Sequence, residues 1–233
     1  MLMSLMLALS FFNPSMSRAI SNEQDISIEE LLGPEVKDLP HQAPVPGEHY
    51  VPTLTLKDVV SGASVQPIIK EMDLDNQDGA EAIVIVFNTP GGSVWDGFDL
   101  AVAIENSKAP VTCVVDGMAA SMGYYLLQSC ENRIMTKRSL LMAHAPSGGV
   151  QGQPSHVKQF LKQLDALTDA MIEHMCARTN MSFKQFKKSI SFDQEYWMTW
   201  REAKRIKAID YVVVSTKQVT ESFKKTGHLP ANL

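Results

Sequence analysis

Residues 81–92 read EAIVIVFNTPGG. Ile83 to Phe87 form an unbroken apolar run rich in β-branched residues, without the polar alternation of a strand that has one wet face. Such a run is the pattern of a strand covered on both faces in a parallel sheet, and the Gly-rich turn that follows marks its carboxyl end. Downstream, WDGFDLAVAIENS (95–107) suits a helix and APVTCVVDG (109–117) is a second buried strand, so the unit is βαβ. Upstream, YVPTLTL (50–56) reads as a first strand, and SVQPIIKEMDLD (64–75) carries Val65, Ile68, Ile69 and Met72 at near-helical spacing.

After Gly117, the segment ASMGYYLLQSC (120–130) can form a helix that starts at or just after Ser121. NRIMTK (132–137) reads as a short strand, and SLLMAHAP (139–146) as another that ends at His144. From Pro154 to Arg178, the residues Val157, Phe160, Leu161, Leu164, Leu167, Met171, Ile172 and Met175 follow the i, i+3/i+4, i+7 rule. That pattern predicts a long amphipathic helix with Ser155 as its cap, longer than a small sheet needs to cover it.

With 233 residues, 45% of them hydrophobic, the chain can bury one sizeable core. Its net charge of −5 offers no basic face for nucleic acid or for an anionic membrane. Cys113, Cys130 and Cys176 are too few for a disulfide framework and lack metal-ligand spacing, so all three read as structural thiols, with no metal and no cofactor expected. Leu2 to Phe12 is an uncharged apolar run, followed by Pro14 and by Ser17 and Ala19 at the spacing of a cleavage site. It is too short to span a bilayer. Residues 1–19 therefore read as a signal peptide and favour export, the alternative being a cytoplasmic protein that starts at Met16. Residues 20–48 are acidic and then punctuated by proline, which suits a flexible arm; the folded domain is expected over 49–218, with a tail at 219–233.

Ser121 is flanked by Gly117, Ala119, Ala120 and Gly123. A hydroxyl at a strand-to-helix junction is well placed for nucleophilic catalysis, because the helix N-terminus offers free N–H groups and a positive dipole end where an oxyanion would form. Taken alone, GMAASMG also reads as a tight packing turn. Three features shift the balance. Gly91 and Gly92 end the neighbouring parallel strand, on the sheet edge where α/β sites form. The N–H of Gly92 can therefore join that of Met122. His144 stands at another strand end, where a base would be held. Asp193 and Glu195 follow the long helix and could orient the imidazole.

NTPGGSV, GMAASMG, MAHAPSGGVQGQ, the long helix and EYWMTWREAKRIKAID stand in an order that resembles the Clp protease proteolytic subunit family, from about Tyr50 to Val214. The resemblance implies an α/β fold of the ClpP/crotonase type, built from repeated β-β-α units in a spiral, with a strand-plus-helix handle. It also implies a serine endopeptidase that cleaves short or unfolded polypeptides through an acyl-enzyme. Ser121 matches the nucleophile, His144 the base, and Gly92 and Met122 the oxyanion donors. For the acid, ungapped counting from His144 selects Asp193, whereas the local motif selects Glu195, which is preferred although the family's usual acid is an aspartate. GGVQGQ plus 155–178 would stack rings of a homo-oligomer, and an AAA+ unfoldase partner is expected only if the chain is cytoplasmic. The run TPGGSVWDGFDLAVAIENSKAPVTCVVDGMAAS and the GYY after the serine also resemble signal peptide peptidase A-like enzymes, which pair serine with lysine; Lys137 has no clear claim to that role. A phage prohead-like protease and a catalytically silent crotonase-fold assembly subunit are the remaining alternatives.

Overall fold

A computed structural model describes residues 38–191 and 194–230. The signal-peptide reading of 1–19, most of the arm, and Asp193 lie outside the described residues. The strands are β1 (Thr53–Val60), β2 (Ile83–Gly92), β3 (Val111–Ala120), β4 (Asn132–Thr136), β5 (Leu140–Ala143), β6 (Tyr196–Thr199) and β7 (Tyr211–Val213). The helices are α1 (Gly62–Gln77), α2 (Val94–Glu105), α3 (Met122–Ser129), α4 (Pro154–Ala177), α5 (Phe183–Ser189), α6 (Trp200–Arg205) and α7 (Thr216–Thr226).

The sheet runs β1-β2-β3-β4-β7, all parallel, as the apolar runs predict. Alternate residues of β2 serve opposite faces. Ile83, Ile85 and Phe87 enter the main core with Leu100, Ile104 and Leu127, while Val84 joins Val114, Ile134, Val219 and Phe223 beneath the sheet. Because α7 supplies Val219 and Phe223 to that second layer, the folded domain extends across the boundary drawn at residue 218.

β3 pairs with β2 along one edge and with two successive neighbours along the other. Thr112 to Val115 lie beside β4, and Met118 to Ala120 lie beside β5. The strand changes partner at Gly117, whose φ of +123° is open only to glycine, and a Cβ there would stand 2.4 Å from the Asn88 side chain. This fork carries the chain out to β5, against which β6 runs antiparallel.

Two local expectations are corrected. Gln153, not Ser155, caps α4, because Pro154 fits the first helical position with its φ already set and no N–H to satisfy. The handle has its helix, but residues 144–153 form no strand within the single chain. The first four turns of α4 are largely exposed, Leu161 at 52%, and its burial begins only at Met171.

The cysteines give a third correction. Cys113 and Cys130 are joined in a disulfide, and only Cys176 is a free thiol, also buried. Cys113 is the third residue of β3 and Cys130 stands at the carboxyl end of α3, so the bond ties that helix back to the strand from which it departs. Closing a loop of this size stabilises by about 3 kcal/mol through the unfolded chain. Protein denatured without reductant should therefore show one titratable thiol per chain, that of Cys176; three would contradict the bond.

Candidate active site

The sheet register brings two of the sequence-selected residues together. Ala120 of β3 pairs with Met142 of β5, so Ser121 and His144 leave adjacent parallel strands at the same edge. The Ser121 N–H donates to the Met142 carbonyl at 2.8 Å, which extends the ladder by one residue. His144 Nε2 and Ser121 Oγ then lie 2.6 Å apart, a hydrogen bond between a hydroxyl and an imidazole.

Ser121 itself is bent into an unusual conformation, with φ 54° and ψ −118°. A positive φ in a residue with a Cβ costs on the order of 1–3 kcal/mol and persists only where the surroundings impose it. Here β3 holds one side of the turn and α3 the other, since Tyr124 and Tyr125 donate their N–H groups to the Ser121 carbonyl. Met122 is the first residue of α3, so its N–H belongs to the group that a helix leaves without an intrahelical acceptor.

Small residues surround this turn because larger ones would not fit. A Cβ on Gly91 would stand 2.7 Å from the Ser121 Cβ and 2.8 Å from the Met122 nitrogen. Gly91 thus keeps open the space in front of the helix N-terminus. A Cβ on Gly123 would meet Thr89 at 2.7 Å, and one on Gly97 would meet the Met122 side chain at 2.4 Å, so α3 sits close against β2 and α2. Gly92, the sequence-selected donor, has φ +153° and packs against Val60. The sequence marks Gly91 only as the first glycine of the NTPGG turn; its closeness to Ser121 and Met122 emerges from the fold.

The acid does not fall into place as the sequence preference had it. Tyr196 pairs with Ala143, so Glu195 stands next to His144 in the strand register. Its carboxylate turns away and accepts the indole N–H of Trp197 at 2.8 Å. Among the described residues, no carboxylate is hydrogen-bonded to or paired with His144. Lys137, the base that a serine–lysine mechanism would need, lies over the Trp200 ring at 6.0 Å instead of at Ser121. Beside His144 a cavity of ≈ 670 Å³ opens, lined by Leu164, Ile172, Ile190 and Trp197, with Asp165 and Glu195 among its polar residues.

The Clp protease family profile matches residues 53–216, from the first strand to the start of α7. This chain belongs to the Clp protease family. Among its relatives, the ATP-dependent Clp protease proteolytic subunit 1 of Protochlamydia amoebophila (strain UWE25) is 32% identical over 170 residues, spanning 70% of this chain and 81% of that one. The corresponding subunit 1 of Chlamydia pneumoniae is 36% identical over 166 residues, 67% and 83% of the two chains. Subunit 2 of Prochlorococcus marinus (strain MIT 9312) is 30% identical over 169 residues, 71% and 82%. As a Clp family member, the chain is a serine-type peptidase with the ClpP/crotonase-like fold.

The strain at Ser121 has a measurable consequence. Ser121→Ala removes the hydroxyl and keeps the strained φ, whereas Ser121→Gly also relieves it. The glycine variant should unfold about 1 kcal/mol later than the alanine variant in chemical denaturation; equal or reversed stabilities would mean that the turn is not strained.

Proposed function

We propose that this Clp family peptidase cleaves short or unfolded polypeptides by acyl transfer, with Ser121 as nucleophile and His144 as general base. The observation that carries the reading is the 2.6 Å contact between Ser121 Oγ and His144 Nε2 at the N-terminus of α3. His144 takes the proton as Ser121 Oγ attacks the peptide carbonyl, and the carbonyl oxygen gains negative charge in front of the Met122 and Gly92 N–H groups. The imidazolium then gives its proton to the leaving amine. Water, activated by the same imidazole, cleaves the ester and restores the serine. The cavity beside His144 suits the side chain next to the scissile bond, and its Leu164, Ile172, Ile190 and Trp197 lining favours an apolar one.

The imidazole needs a carboxylate at Nδ1 to hold its tautomer and stabilise its charged form. Trp197 occupies Glu195, so this reading assigns the role to Asp193, in keeping with the family's usual aspartate. The exposed first turns of α4 favour the assembly role expected for the handle, with Phe160 and Leu161 meeting another subunit. The relatives' names describe ATP-dependent proteolytic subunits; an unfoldase partner for this chain follows only where ATP is present, and an exported form would act alone.

Hydrolysis of an unfolded casein or a short fluorogenic peptide tests the assignment. Asp193→Asn should lower kcat roughly 10³–10⁴-fold, and Glu195→Gln should stay within about tenfold of the parent. A large loss in Glu195→Gln with little in Asp193→Asn would reverse the assignment of the acid. Full activity in His144→Ala would overturn the mechanism.

A further inference from the structure

The buried face of α1 carries Val65, Ile68 and Met72, as a core helix should, but also Glu71 and Asp75. Glu71 is 3% exposed and Asp75 is fully buried. Two carboxylates one helical turn apart, both shielded from water, are costly unless a cation compensates them. No lysine or arginine pairs with either among the described residues; Lys70 pairs with Asp38. What reaches them is His41, from the segment that precedes the first strand.

The geometry around His41 is specific. His41 Nδ1 lies 2.7 Å from Glu71 Oε1 and 4.0 Å from Asp75 Oδ1. Its other nitrogen, Nε2, lies 2.9 Å from Asp78 Oδ2. Tyr50 donates its hydroxyl to Asp75 Oδ1 at 2.7 Å, while Asp75 Oδ2 is buried with no hydrogen-bond partner among the described residues. One ligand atom from each of His41, Glu71 and Asp75 lies within 4.8 Å of the other two. Ligands around a tetrahedral zinc ion are separated by roughly 3.3 Å, given bonds of about 2.0–2.1 Å. Side-chain adjustments of an ångström or less would close the set around an ion.

We propose that His41, Glu71 and Asp75 bind a divalent transition-metal ion that fastens the N-terminal segment to α1. Nδ1 of His41 and one carboxylate oxygen each from Glu71 and Asp75 are the three protein ligands, and water takes the fourth position. Asp78 accepts the remaining imidazole N–H and so fixes the tautomer that frees Nδ1, the arrangement that metal-bound histidines commonly show. Tyr50 donates to Asp75 Oδ1 and fixes the direction of the carboxylate. The ion replaces the proton held between His41 Nδ1 and Glu71 Oε1 and adds positive charge beside the two buried carboxylates. No part of the proposal depends on the peptidase mechanism, because no residue of the site takes part in it.

The test uses the full chain with His144→Ala in the background, so that the active-site imidazole cannot contribute, stripped with EDTA and titrated with ZnCl₂ by calorimetry at neutral pH. One Zn²⁺ should bind per chain and raise the melting temperature. Affinity should fall at least 100-fold in His41→Ala and in Asp75→Asn, and about tenfold in Asp78→Asn. Should Asp75→Asn fail to fold, His41→Ala decides, since His41 is a half-exposed side chain outside the core. Absence of zinc uptake, or uptake unchanged in His41→Ala, would overturn the site and leave His41 as a hydrogen-bonded clasp between carboxylates.

Discussion

The turn at Ser121 is the constraint on which the rest of the molecule depends. A residue with a side chain is held at φ 54°, and it stays there because the strand before it and the helix after it are both fixed to the same sheet. On one side, β3 is locked between β2 and β5, and the Ser121 N–H completes its ladder with Met142. On the other, α3 lies close enough to β2 that only glycine fits at position 123. The cost of the bend is met by the burial around it: Tyr124, Leu126 and Leu127, on the helix that follows, are all fully buried.

The same arrangement explains why the site sits at a sheet edge where a strand changes partners. β3 leaves β4 at Val115 and takes up β5 at Met118, and the gap between the two neighbours lets β5 carry His144 to the side of Ser121. The Cys113–Cys130 bond acts on the same unit from the other end, joining the start of β3 to the end of α3. Under the proposed mechanism, Ser121 needs little rearrangement to react, because His144 already lies within hydrogen-bond distance and the Met122 N–H heads the helix.

Much of this was legible in the sequence because it follows from local chemistry. The apolar run 83–87 could only be a doubly covered strand, and GMAASMG with NTPGG marks a place where two backbones approach too closely for side chains. Ser121 and His144 could be chosen because each stands at the end of such a strand. What was hidden depends on contacts that no spacing records. Cys113 and Cys130 lie on different elements, so their pairing needed the packing of α3 on β3. His41, Glu71 and Asp75 form no motif, because the histidine comes from a segment with little apolar character and meets the helix only once that segment folds back. Glu195 matched the local pattern best, yet its preference for the Trp197 indole is a side-chain choice invisible to register. Residues 144–153, expected to supply the handle strand, form no strand in the single chain.

The central claim is that the bend at residue 121 presents an activated hydroxyl. Intact-mass analysis and peptide mapping of the assembled protein after exposure to a fluorophosphonate test it most directly. The account predicts one adduct per chain, on Ser121, whose formation slows by orders of magnitude in His144→Ala while the labelled peptide stays the same. An assembled protein that takes up no probe, or takes it up on another serine, would show that the Ser121–His144 contact is structural and that the turn serves packing alone.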